Sequence, residues 1–113
     1  MPGQIGATAY GAILLDRRER NVFTYMSAVE VAERAAIPRP FAKLRIDAPR
    51  FAVFRHEGNV IAIHETVRAV YRAFPALFED KRPSNVDFLE RYDERFDFET
   101  GDGGVDIMIP LAD

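Results

Sequence analysis

The residues of this 113-residue chain best suited to chemistry lie in VDFLERYDERFD, residues 86–97. If FLERY is a β-strand, the alternation of side chains puts Phe88, Glu90 and Tyr92 on one face. A face made of two rings and a carboxylate is either an exposed edge or a pocket wall. In a pocket, a carboxylate without water is costly unless something positive or hydrogen-bonding compensates. Flanking rings turn their negative faces to a cation, each contact contributing roughly 0.5–2 kcal/mol, so such a pocket would prefer a flat, apolar cation to a hydrated sodium ion or an anion. At the surface, the same glutamate would pair with an arginine of a neighbouring strand for at most about 1 kcal/mol. The residues alone leave both readings open.

Other groups carry weaker chemical signals. HETVR, residues 64–68, begins like a zinc-binding H-E-x-x-H helix, but Arg68 stands where the second histidine would be and His56 has no third donor near it in sequence. Ser27 and Ser84 lack the G-x-S-x-G turn of an activated serine. GDGG, residues 101–104, precedes a strand rather than a helix, which makes it a hairpin turn and not a phosphate cradle. The acids Asp93, Glu94, Asp97 and Glu99 read as a solvated edge and turn, and Arg17, Arg18 and Arg20 as a solvated loop. No metal site and no cofactor follow from these residues.

The elements that must position Glu90 are mostly strands. Ala9–Leu15 and Val22–Ala32 are rich in β-branched and aromatic residues, with DRRERN between them as a hairpin loop. IPRP stops regular structure, Phe41–Ile46 reads as a third strand, and RFAVFRHEG as a fourth ending at Gly58. From Asn59 to Phe74 apolar residues recur at three and four, so a helix is expected there, N-capped by Asn59 and ended by Pro75. KRPSN is a linker to the FLERY strand, and after ETGDGG the last strand VDIMIPL places Val105, Ile107 and Ile109 on one side. The order is four strands, a helix and two strands, an α+β fold with the helix across an antiparallel sheet.

Bulk properties narrow the function classes. The length gives one domain, residues 1–113. A formal charge of −3 leaves no electrostatic footprint for nucleic acid, and no stretch resembles a basic recognition helix. Cysteine is absent, which excludes disulfides and thiolate chemistry and suits a reducing cytoplasm. There is no signal-peptide pattern at the start and no run of 18 apolar residues, so no membrane span is expected.

The run FAVFRHEGNV followed by a helix, then FLERYDERFD, a glycine-rich turn and VDIMIPL, resembles the bacterial GyrI-like small-molecule-binding superfamily, which includes gyrase-inhibitor-like proteins and the effector-binding domains of AraC-type and MerR-type regulators. AYGAILL, FTYMSAVEVA and FAKLRIDAPRFAVF resemble that family's middle section in the same order, so the likeness covers about Ile5 to Leu111. It implies two strand-helix-strand-strand (SHS2-type) modules around a cleft for lipophilic, often cationic molecules, as in multidrug binding. The family's cleft glutamate matches Glu90 and its motif tyrosine Tyr92.

The expected ligand-binding residues are therefore Glu90, Tyr92 and Phe88, with Tyr25 and Tyr10 from strands on the opposite wall and Tyr71 from the helix; plain packing accounts for Tyr92 equally well and for Phe88, Tyr25, Tyr10 and Tyr71 better. The expected ligand is a small lipophilic or cationic molecule, bound without chemical change. If the chain were instead a hydrolase, Glu90 would be the general base beside Tyr92 or Tyr25. As a pure interaction module, it would use a strand edge on a regulator or on gyrase. Complete family members carry a strand and helix before AYGAILL, whereas nine residues precede Tyr10 here. The first module would then lack its initial strand and helix, and a homodimer is expected to cover the gap.

Overall fold

The computed structural model describes residues 3–15, 23–32, 34–39, 41–46, 48, 50–78 and 86–111. Five strands form one antiparallel sheet: β1 (Gln4–Leu15), β2 (Phe23–Val31), β3 (Arg50–His56), β4 (Phe88–Tyr92) and β5 (Val105–Leu111), in the order β2-β1-β4-β5-β3. One main helix, α1 (Ile63–Ala73), lies between β3 and β4 in sequence, so β3, α1, β4 and β5 follow one another as strand, helix, strand, strand. The α+β class is as the sequence implied. Among the described residues no helix is long and apolar enough to cross a membrane. DRRERN and KRPSN, with Arg17, Arg18, Arg20 and Ser84, lie outside the described residues.

The pleat divides the core into two faces. Toward α1 point Ile13, Phe88, Ile107 and Ile109, packed with Val70 and supported by Phe54, Ile63, Val67 and Leu77. Val105, Ile107 and Ile109 all have 0% exposure, because β5 is interior to the sheet and their side is covered by the helix. On the reverse face, Ala12, Leu89 and Val86 pack with Tyr10, Leu14, Met26, Phe51 and Met108.

Phe41–Ile46 is not a strand, which corrects the expected count from six to five. Pro38 and Pro40 before it and Pro49 after it limit ladder pairing, and the Phe41 amide instead bonds to the Pro38 carbonyl in a turn, at 3.1 Å. Leu44 and Ile46 still reach the reverse-face core, so the apolar residues were read correctly and the backbone was not. β1 starts earlier than Ala9: Gln4 pairs with Val31, and the register shifts between Gln4 and Ala9, a stretch in which Gly6 has φ 68°.

Asn59 caps the helical segment as expected, its Oδ1 accepting from the Ile61 amide at 3.0 Å. The first turn, Val60–Ala62, is 3₁₀ before α1 proper begins. At the other end Phe74 leaves helical geometry (φ −135°, ψ 59°), because the ring of Pro75 disfavours it in the preceding residue. Buried His56 ties the end of β3 to this start: Nε2 donates to the Asn59 carbonyl at 2.8 Å, and Nδ1 shares a hydrogen bond with Thr66 Oγ1 at 2.5 Å.

Ile107→Ala is expected to destabilise the fold by about 2–5 kcal/mol, since β5 is enclosed on both sides and cannot collapse into the space left. Urea unfolding with an unchanged m-value would show it.

Candidate functional site

Glu90 sits on β4 opposite Gly11 of β1 and Ile107 of β5, on the α1 side of the sheet. By alternation Phe88 and Tyr92 share this face. Phe88 is absorbed into the core under α1, while Tyr92 is half-buried at the end of the strand.

The carboxylate of Glu90 is buried, the residue being 8% exposed. Two phenols donate to the same oxygen, Oε1: Tyr92 at 2.7 Å and Tyr25 at 3.1 Å. Tyr25 stands on the edge strand β2 and pairs with Ile13, yet it reaches Glu90 across β1. Gly11 makes this possible, because a Cβ built there would overlap the Tyr25 hydroxyl. Arg91 of β4 itself and Arg55 of β3 serve another acid. Arg91 points to the reverse face and holds Asp106 with Nε at 3.0 Å and Nη2 at 2.7 Å, and Arg55 donates to the same carboxylate at 3.0 Å. Burial alone would raise the Asp106 carboxyl, but these hydrogen bonds outweigh it and hold it below the usual range.

Burial, together with the hydrogen bond to Glu90, pushes the Tyr92 phenol far above its usual value. Tyr25 is raised too, first by burial, against a lowering hydrogen bond with Tyr92 and with a further rise from the Glu90 charge. Both phenols therefore remain protonated donors over the whole neutral range.

Beyond β4 the chain turns through Asp93–Gly104 and brings two more rings to Tyr92. Phe96 meets it edge-on with centroids 4.8 Å apart, Phe98 lies 6.0 Å away, and Phe96 and Phe98 are themselves 4.9 Å apart at 80°. The acids expected only to solvate this run also shape it. Asp97 Oδ1 accepts from the Glu99 amide at 2.8 Å, and Asp93 Oδ1 from the Arg95 amide at 3.0 Å. The Arg95 guanidinium holds the Asp93 carboxyl down at about 2. Asn59 anchors the loop to the helical segment by donating to the Thr100 carbonyl at 2.7 Å, and the Val60 amide donates to Gly101 at 2.8 Å.

A concavity of about 1550 Å³ is lined on the α1 side by Tyr25, Tyr92, Phe96 and Phe98 and on the reverse side by Tyr10, Met26 and Leu44. It exceeds a typical pocket for a drug-sized molecule, roughly 300–1,000 Å³, because it spans both faces of the β1–β2 pair. Of the six sequence candidates, Glu90, Tyr92 and Tyr25 come together. Tyr10 lines the reverse lobe: it pairs with Arg91 and Ala28, one residue out of phase with the Glu90 face, and its phenol is raised by burial and by Glu30. Tyr71 lies 56% exposed on α1, outside the lining. Sequence reasoning missed Gly11, Phe96 and Phe98. A glycine inside the strand pattern AYGAILL was the available signal for Gly11, marking close approach; the two phenylalanines lay in a run read as solvated.

Two outcomes test this geometry. Gly11→Val should displace Tyr25 from Glu90 and weaken the near-ultraviolet circular dichroism of the tyrosines while the far-ultraviolet spectrum is kept. Because Tyr92 and Tyr25 ionise at higher pH folded than unfolded, their contribution to stability is complete below the unfolded value of 10.0 and is lost as pH rises above it. Denaturation midpoints should therefore fall on the alkaline side, and less steeply in Tyr92→Phe.

The model of a family described as Cass2, integron-associated effector binding protein, matches residues 7–111. The transcriptional regulator BrlR of Pseudomonas aeruginosa is 32% identical over 90 residues, which cover 79% of this chain and 33% of that protein. The chain thus spans about a third of the regulator's length. An effector-binding family and a related segment in a regulator together support small-molecule binding as the general property of this fold. With the match running over nearly all its residues, the chain belongs to the Cass2 family of integron-associated effector binding proteins.

Proposed function

We propose that the chain binds small lipophilic cations, with Glu90 as the counter-charge and Tyr25, Tyr92, Phe96 and Phe98 as the apolar wall. The observation that supports this reading is a buried carboxylate held by two neutral phenols. Neutral donors replace its lost hydration but leave its negative charge uncompensated, and a charge in low dielectric attracts a cation more strongly than it would in water. The rings add cation–π and apolar contacts, which a hydrated inorganic ion cannot use. Such a module would sense an effector for a regulatory system or sequester a toxic compound.

The test is a thermal-shift panel of hydrophobic cations, rhodamine and phosphonium dyes among them. A ligand at a hundredfold excess over its Kd is expected to stabilise the fold by about 2.7 kcal/mol. Glu90→Gln should weaken binding at least about tenfold, or about 1.4 kcal/mol. No shift anywhere in the panel overturns the proposal. Turnover of reactive electrophiles that disappears in Glu90→Gln would replace binding by general-base hydrolysis.

A further inference from the structure

The sheet consists of two hairpins, β1–β2 and β4–β5, joined antiparallel through β1 and β4, so each half turns its second strand outward. In one half the outer side of β5 is taken by β3, paired antiparallel from Arg50 with Leu111 to His56 with Val105. In the other half no strand among the described residues pairs with the outer side of β2. We infer that a second copy of the chain fills this place, β2 pairing antiparallel with its own counterpart about a two-fold axis that passes Ser27. Such a dimer does not depend on the hollow taking a cation.

The first ground is that β2 is an unguarded edge. Edge strands are ordinarily blunted by charge, proline or bulges, because their free amides and carbonyls template further pairing. β3, the opposite edge, carries Arg50, Arg55 and His56. β2 runs for nine residues with no proline, no basic residue and Glu30 as its one charge, in unbroken register with β1 from Phe23 to Val29. Every residue from Tyr25 to Val31 lines the concavity, so both faces of the strand and the free backbone between them border open space. Tyr25 is 47% exposed there.

The second ground is self-complementarity, which a closed two-fold interface requires. With the axis at Ser27 and normal to the sheet, Tyr25 lies opposite Val29 of the partner subunit, and Met26 opposite Ala28 of the partner subunit. A ring beside a β-branched side chain is a favourable cross-strand pair. The two Glu30 carboxylates fall at opposite ends of the ladder and do not meet. Moving the axis to Ala28 sets Glu30 against Met26, and moving it to Met26 leaves Tyr25 opposite Ser27. In the Ser27 register the partner subunit's Val29 stands beside the phenol that donates to Glu90, so the partner extends the wall of the hollow.

Sedimentation of the full chain at micromolar concentration should give twice the 12.8 kDa mass of one copy. The chain contains no cysteine, so Ser27→Cys gives each copy one thiol. Opposed Cα atoms of an antiparallel pair lie about 4.5–5.5 Å apart, within disulfide reach, and mild oxidation should link this variant into dimers. Val29→Cys, on the same face, sets its two thiols four residues out of register and should not link. Ser27→Lys brings like charges together across the axis and should weaken the dimer at least about tenfold, with its far-ultraviolet spectrum kept. The mass of a single copy, a dimer that Ser27→Cys does not link in preference to Val29→Cys, or an unaltered dimer in folded Ser27→Lys overturns the pairing. Each of these would leave small-molecule binding by the same chain untouched.

Discussion

Taking the Glu90 carboxylate out of water costs several kcal/mol unless donors replace its hydration, and two phenols from different strands do so. Tyr92 comes from the same strand, two residues on, by the simple pleat of β4. Tyr25 comes from 65 residues away and reaches Glu90 only because β1 lies between β2 and β4 and carries a glycine at the crossing point. The strand order, the register of β1 against both neighbours and the absence of a side chain at Gly11 are thus one arrangement. Shift any of them by one residue and the acid loses a donor, because a one-residue slip turns every side chain of a strand to the other face.

The same pleat separates two kinds of electrostatics. On the reverse face Arg91 and Arg55 converge on Asp106, whose negative charge they fully compensate. On the α1 side the adjacent residue, Glu90, meets hydroxyl groups. Asp106 is thus held by cations, whereas Glu90 is held by hydroxyl donors. Parity along β4 therefore decides that position 90 and not position 91 meets the hydroxyls of Tyr25 and Tyr92.

The loop after β4 depends on the helix start as much as on its own turns. Asn59 caps the helical segment with its side-chain oxygen and clasps the loop with its nitrogen, and His56 holds the Asn59 carbonyl from β3. Phe96 and Phe98 are consequently carried on a segment tied at both ends to regular structure. That is how a stretch of acids and glycines can present aromatic surface in a defined place.

Much of this was legible from local pattern. Period-two alternation put Phe88, Glu90 and Tyr92 on one face and buried Val105, Ile107 and Ile109 together, and the three-and-four spacing with Asn59 and Pro75 located the helix. Each rests on geometry within a few residues, which the chain's own stereochemistry imposes. Tertiary structure decided the rest. Tyr25 and Tyr10 looked alike in sequence, and the register of β1 against β2 and β4 sent one to Glu90 and the other to the reverse face. Phe41–Ile46 had strand-like residues but became an irregular cover, since prolines flank it and its apolar side chains were satisfied without a ladder. Contacts between distant strands depend on order and register, which no short window of sequence contains.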